Sequence, residues 1–155
     1  MTTATASTCV TRVIAAPPQA LYDAFMDPTA LAGWLPPDGM SGVVHAFDGR
    51  VGGGYDMSLF YGANERVHTG KTSAREDRVR VRFLTLEPGR RIVEAVSFVS
   101  DDPALKDGII QTIGFEPVAG GTEVSVLFTG LPPGLAADNE TGSRMSLANL
   151  ARWVE

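Results

Sequence analysis

The periodicity of the chain changes near residue 40, and that change limits the folds open to it. Before it, Leu21, Tyr22 and Phe25 recur at the spacing of one helix face. After it, apolar residues recur at every second position. Tyr55, Met57, Leu59 and Tyr61 alternate with Asp56, Ser58 and Phe60, and Val79, Val81 and Phe83 alternate with Arg78, Arg80 and Arg82. A period of two belongs to strands with one face in the core and one in water. The helical period returns in residues 137–155, where Ser143, Leu147, Leu150, Ala151 and Val154 share a stripe.

Punctuation residues divide these patterns into elements. Residues 9–16 read as a strand halted by Pro17-Pro18, and a proline suits the first turn of the helix expected over 19–26. Asp27-Pro28 ends that helix and caps a second over 29–35, which Pro36-Pro37 closes. Strands are predicted at 43–48, 55–61, 69–85, 91–99, 109–117 and 123–130, with turns at 49–54, 87–90 and 119–122 and a polar loop at 100–108. Short turns make consecutive strands antiparallel neighbours. Asp138 or Asn139 is the expected cap of the last helix.

The fold class that follows is α+β. A curved antiparallel sheet of six to seven strands surrounds a long C-terminal helix, and two short helices follow the first strand. One helix cannot fill a wide concave sheet, and the space left over is a cavity with apolar walls. No internal repeat or linker is visible. The expected organisation is a flexible lead-in at 1–8 and a single domain at 9–155.

Composition excludes several function classes. The chain has 155 residues, 44% hydrophobic and 20% charged, which is the balance of a folded globular protein. Its net charge is −5, and Arg78, Arg80 and Arg82 fall on one solvated strand face, so nucleic acid is not the expected partner. Cys9 is the sole cysteine and forms no internal disulfide. It reads as a packing residue beside Val10 in a protein of the reducing cytoplasm. No run approaches the roughly 20 apolar residues of a membrane span, and residues 1–8 lack the pattern of a signal peptide. No His/Cys/Asp spacing suggests a metal, and no nucleophile elbow is present. Gly52-Gly53-Gly54 lacks the Lys-Ser/Thr of a phosphate loop and leads into a strand. No cofactor is expected.

Several strings together resemble a known family. Residues 16–25 (APPQALYDAF), then Asp27-Pro28, then residues 31–36 (LAGWLP) resemble the opening of the SRPBCC superfamily, whose START-like members have the helix-grip fold. The closer likeness is to its polyketide-cyclase-like branch. That branch also holds domains similar to the activator of the ninety-kilodalton heat-shock-protein ATPase. Val51-Gly52-Gly53-Gly54-Tyr55 looks like its glycine turn before the third strand, Gly121-Thr122-Glu123-Val124 like its last hairpin, and residues 139–154 like its terminal helix. The resemblance covers residues 10–155 and implies the helix-grip fold. The superfamily hosts lipid carriers, hormone receptors, cyclases and chaperone cofactors, so fold alone does not name the activity.

Candidate ligand-binding residues follow from strand and helix phase, each against a plainer reading. Tyr55, Met57, Leu59 and Tyr61 line the cavity or form ordinary core. Trp34 stands at the cavity mouth usual for this fold, or plugs it. Glu94 shares a face with Ile92, Val96 and Phe98. If that face points inward, burial raises its pKa; otherwise Glu94 is solvated. Gln111 shares a face with Ile109, Ile113 and Phe115 and meets a ligand, a protein partner or water. Ser143 and Leu147 lie on the inward stripe of the last helix, and Ser143 wets the end of the cavity or lies at the surface. His45 is in phase with Val43 and Phe47, so it faces inward as a core residue or a catalyst; His68 reads as exposed.

The leading functional expectation is a module that binds a small apolar or amphipathic molecule. The alternative is a cyclase or aromatase using Glu94, His45 and Tyr55 for acid–base work. The third is a co-activator of a chaperone ATPase. Chaperone activators of this resemblance carry an additional domain, whereas this chain begins almost at its first strand. A homodimer is compatible with the sequence.

Overall fold

The computed structural model describes residues 4–62 and 75–155. The chain enters the sheet as β1 (Ala6–Ile14) and turns through two short helices, α1 (Pro18–Phe25) and α2 (Pro28–Trp34). It then runs through β2 (Met40–Asp48), β3 (Gly54–Tyr61), β4 (Glu76–Glu87), β5 (Arg91–Phe98), β6 (Ile109–Val118) and β7 (Gly121–Leu131). The last element is α3 (Ala136–Val154). The strands form one curved seven-stranded sheet in the order β1-β7-β6-β5-β4-β3-β2, with every neighbouring pair antiparallel. Five of those pairings are hairpin-like steps along the chain; β1 closes against β7, the last strand made.

Local chemistry accounts for the element ends. The Asp27 carboxylate accepts from the backbone N–H groups of Thr29 and Ala30 at 2.9 and 3.4 Å, the N-cap read from the sequence. Gly121 has φ +143°, and a Cβ there would lie 2.0 Å from the Ile14 carbonyl oxygen, so the β6–β7 hairpin requires glycine beside β1. The outer face of β4 is the solvated one: Arg78 and Arg80 both pair with Asp56 on β3, at 2.9 and 3.4 Å.

The structure corrects several boundaries. The lead-in is shorter than residues 1–8, because β1 starts at Ala6, whose partner Leu131 extends β7 beyond the expected end. Thr8 is buried and its hydroxyl donates to Asn139 Oδ1 at 2.5 Å. Asn139 is therefore engaged by β1 and does not cap α3. Leu135 holds the N-cap position without a side-chain bond, since the Pro133–Leu135 turn runs directly into the helix. Cys9 is exposed and not a packing residue, because Thr8 and Val10 take the inward phase of β1. The 100–108 loop contains a short 3-10 turn, Pro103–Leu105, that buries Leu105. The expected strand 69–85 is described from Glu76; residues 69–74, like His68, lie outside the described residues.

The core lies between the concave face and the helices. Ile14, Leu21, Phe25, Trp34, Phe83, Ile92, Ile113, Val124, Leu147 and Leu150 are buried there. Phe25 packs edge-on against Trp34 and Phe115, with ring centroids 4.6 and 5.5 Å apart.

Candidate functional site

The second half of α3 carries the apolar residues Leu147, Leu150 and Ala151, all buried in the core. Residues 136–144 read Ala-Ala-Asp-Asn-Glu-Thr-Gly-Ser-Arg and carry no large apolar side chain; Met145, at the middle of the helix, is the first, and it borders the cavity. Over the first half the concave face stays unfilled. A cavity of about 410 Å³ lies there, walled by Tyr55 and Leu59 of β3, Val79 and Val81 of β4, Val96 and Phe98 of β5, Phe128 of β7, and Asn139, Thr141, Gly142 and Ser143 of α3. Besides the Thr8–Asn139 bond, two bonds tie α3 to the α2–β2 connection. The Ser146 hydroxyl donates to the Leu35 carbonyl at 2.6 Å, and the Asn149 amide donates to the Pro36 carbonyl at 3.0 Å.

Within these apolar walls stands Glu94, in the middle of β5. Its Cα faces Phe83 on β4 and Gln111 on β6. It is 3% exposed, lines the cavity, and its Oε1 has no hydrogen-bond partner. Burial alone pushes the carboxyl up to about 8, because the low-dielectric surroundings oppose its charge. Burial likewise pushes the Tyr55 phenol well up, with a smaller push from the negative charge of Glu94. A second polar group lies where β3 ends and β4 begins: the half-buried Tyr61 hydroxyl donates to Asp77 Oδ2 at 2.9 Å, and Asp77 is itself buried. Exposed Asp38 and Asp138 stand at the rim.

Comparison with known proteins decides the family. Residues 15–155 match the family described as Activator of Hsp90 ATPase homolog 1-like protein. The chain belongs to that family, within the SRPBCC superfamily. It is similar to protein CV1439 from Chromobacterium violaceum, with 35% identity, 96% of both chains covered and a TM-score of 0.83. A protein from Arthrobacter aurescens shares the fold at 16% identity and a TM-score of 0.77, over 96% of this chain and 85% of that one. DynU16, from the dynemicin biosynthetic locus, shares it at 20% identity and a TM-score of 0.68, over 95% of this chain and 46% of that one. No curated protein matches the chain.

In this Activator-of-Hsp90-ATPase-like chain, eight of the ten candidate residues border the cavity: Trp34, Tyr55, Leu59, Tyr61, Glu94, Gln111, Ser143 and Leu147. Trp34 is a wall, tied down by its indole N–H to the Ala24 carbonyl at 3.0 Å and only 1% exposed. Met57 is fully buried but lies outside the cavity lining, with the tip of its side chain over Gly42 on β2.

His45 is turned the other way. The β2–β3 register shifts between Val44 and Ala46, so His45 is the extra residue of a bulge. Val44 and Phe47 pack on the core, whereas Val43, His45 and Ala46 are exposed. His45 Nε2 lies 2.8 Å from Ser58 Oγ, and Ser58 donates to Glu76 Oε2 at 2.5 Å. With its proton given to Glu76, Ser58 accepts from the Nε2–H of His45. Ser58 is fully buried and its proton points away from the histidine, so this chain of bonds is no nucleophile–base pair.

Sequence reasoning left out Asp77, Phe98 and Phe128 as lining residues. Their phase carried the signal: Asp77 lies two residues before Val79, Phe98 two after Val96, and Phe128 two after Val126. Among the described residues no cluster of His, Cys, Asp and Glu is arranged to hold a metal, and no helix is long and apolar enough to cross a membrane.

Proposed function

We propose that this protein binds a small apolar or amphipathic molecule in the cavity between the sheet and the first half of α3. The observation that carries this reading is Glu94. A buried carboxyl oxygen without a partner, beside apolar and aromatic walls, is a cost that a ligand hydrogen bond relieves. The volume of about 410 Å³ suits a molecule of two or three fused rings or a short chain. The test is extraction of the purified native protein, with mass spectrometry of what is released, alongside titration with an apolar fluorescent dye. The reading expects saturable binding to the native state. A dye that stays dark until the protein unfolds, together with an empty extract, refutes it.

An acid–base enzyme in the same cavity, such as a cyclase or aromatase, is the second reading. In its favour, Glu94 exchanges its proton near neutral pH and lies within the electrostatic reach of Tyr55. The third member of the expected acid–base set, His45, is on the opposite face of the sheet, which leaves this reading with two groups. Co-activation of a chaperone ATPase draws support from the family's description alone. The proposal extends to a cytoplasmic location, in keeping with a single cysteine, and is compatible with a homodimer.

A further inference from the structure

Glu94 on β5 and Gln111 on β6 are paired across the two antiparallel strands, and both border the cavity. Directly opposed residues point to the same face of a sheet, with Cβ atoms about 4.5–5.5 Å apart. A carboxyl and a carboxamide at that spacing could bond each other, yet these two do not. Glu94 Oε1 is buried without a partner, and the half-buried Gln111 side chain makes no hydrogen bond to any described residue. Buried polar groups seldom go unpaired. Two of them side by side, facing open space, form a site that a ligand atom completes.

The chemistry of the pair defines that atom. Burial pushes the Glu94 carboxyl up to about 8, so at neutral pH it keeps its proton and offers an O–H. The Gln111 carboxamide offers its N–H groups. A carbonyl oxygen has two lone pairs and no proton of its own, so it accepts from both at once. Phe128 on β7 is the Cα partner of Gln111 on its other side, and with Tyr55 it borders the same space. Such ring faces suit a flat apolar body.

We infer that Glu94 and Gln111 together receive one carbonyl oxygen, and that the cavity selects flat apolar ketones. The Glu94 O–H and a Gln111 N–H donate to the oxygen, while the rings of the ligand lie against Phe128 and Tyr55. This rests on the cavity-binding reading and names the ligand class within it.

Ionised Glu94 has no proton to donate and repels a carbonyl oxygen, so ketone binding weakens as pH rises through its titration. An alcohol behaves differently, because its O–H donates to the carboxylate. Among the described residues, the other titratable groups that border the space are Tyr55 and Tyr61 from β3, Asp77 from β4, Asp138 from α3 and Asp38 from the α2–β2 connection. Tyr55 keeps its proton throughout the range of the experiment, since both burial and Glu94 push its phenol upward.

The experiment is equilibrium dialysis of the full chain against three probes on one carbon skeleton: acetylnaphthalene, naphthylethanol and ethylnaphthalene. None of them titrates. At about pH 6 the ketone is expected to bind about tenfold more tightly than ethylnaphthalene, the scale of two hydrogen bonds, with naphthylethanol between them. By about pH 9 the alcohol overtakes the ketone. Gln111→Leu lowers the ratio of ketone to ethylnaphthalene affinity about threefold or more. Glu94→Gln, which keeps a donor and cannot ionise, makes the ratio of ketone to alcohol independent of pH. A ketone that binds no more tightly than ethylnaphthalene in the acid range overturns the inference and leaves the cavity reading standing. A ketone preference untouched by Gln111→Leu, or a pH-dependent ratio that survives Glu94→Gln, overturns it as well. If none of the probes binds and nothing is extracted from the native protein, the cavity reading fails and this inference with it.

Discussion

Leu150 and Ala151 on the second half of α3 are buried in a packed core, whereas Thr141, Gly142 and Ser143 on its first half border open space, and Leu147 stands between the two, buried and in the cavity wall. The same helix crosses the same sheet in both places. What differs is side-chain volume: one half of the helix carries leucines, the other carries small and polar residues. The cavity is therefore a property of the helix sequence as much as of the sheet. The curvature of the sheet creates the room, and the first half of α3 declines to fill it. The half that is packed holds the fold together, and beside the hollow half, on β5, stands Glu94, whose Oε1 is the one buried side-chain oxygen or nitrogen among the described residues without a partner.

The largest expected effect tests the packed half. Leu150 is fully buried among core residues. Leu150→Ala is expected to cost about 2–5 kcal/mol in urea unfolding, the sum of lost transfer energy and a new void. It leaves the hollow half unchanged, so naphthylethanol affinity of the surviving folded protein stays the same. A cost below about 1 kcal/mol would show that this half is not close-packed, and the contrast would collapse.

The hollow half gives the opposite sign. The folded protein holds the Glu94 proton up to about 8, while the unfolded chain releases it near its ordinary value of 4.5. Between those limits the folded state binds more protons, so stability falls as pH rises. Glu94→Gln removes the charge and keeps the shape. It is expected to stabilise the protein by roughly 3 kcal/mol near pH 7, with the gain vanishing toward about pH 4. Paired urea melts of the two proteins across this range measure it. A gain that does not depend on pH would mean that Glu94 is not a neutral acid in the fold.

Filling the hollow half separates binding from stability. Ser143 borders the cavity and is half-buried. Ser143→Phe places a ring in the space, and naphthylethanol affinity is expected to fall about tenfold or more, equivalent to about 1.4 kcal/mol. The thermal midpoint stays close to that of the parent. Unchanged affinity would put the binding site elsewhere.

The outline of this arrangement was legible in the sequence, because it depends on periods and punctuation. Alternation in β3 put Tyr55 and Leu59 on one face, but in β5 it left open which face points inward, and it is the structure that turns Glu94 into the cavity and sets Gln111 opposite it. His45 was misplaced for one physical reason. A bulge inserts one residue into β2 and reverses the phase, and no residue type at Val44-His45-Ala46 announces it. Met57 was misassigned because phase tells which face a side chain takes and not whether its neighbours leave room beside it. Asn139 looked like a helix cap, yet its partner Thr8 is far away in the chain and was read as part of a flexible lead-in. Pairings between distant segments are what periodicity does not contain.

The smallest expected effect compares two helical glycines, one in each kind of surrounding. Gly142 lies in α3 against the cavity, and a Cβ there would meet only the Pro37 Cγ at 3.7 Å, an ordinary contact. Alanine loses less backbone freedom on folding than glycine does and is a better helix former. Gly142→Ala is therefore expected to raise stability by about 0.5–1 kcal/mol. Gly33 lies in α2 where that helix meets the end of α3, and a Cβ there would fall 2.4 Å from Cζ3 of Trp153. The Trp153 ring has to swing aside before Gly33→Ala can realise the same propensity gain. Trp153 is half exposed and can do so, at the loss of its contact with α2. Thermal melts of the two single variants should thus rank Gly142→Ala above Gly33→Ala, although the substitution is identical and both glycines are helical. The reverse order would place the free space beside α2 and the close contact beside the first half of α3, contrary to the contrast drawn between the two halves.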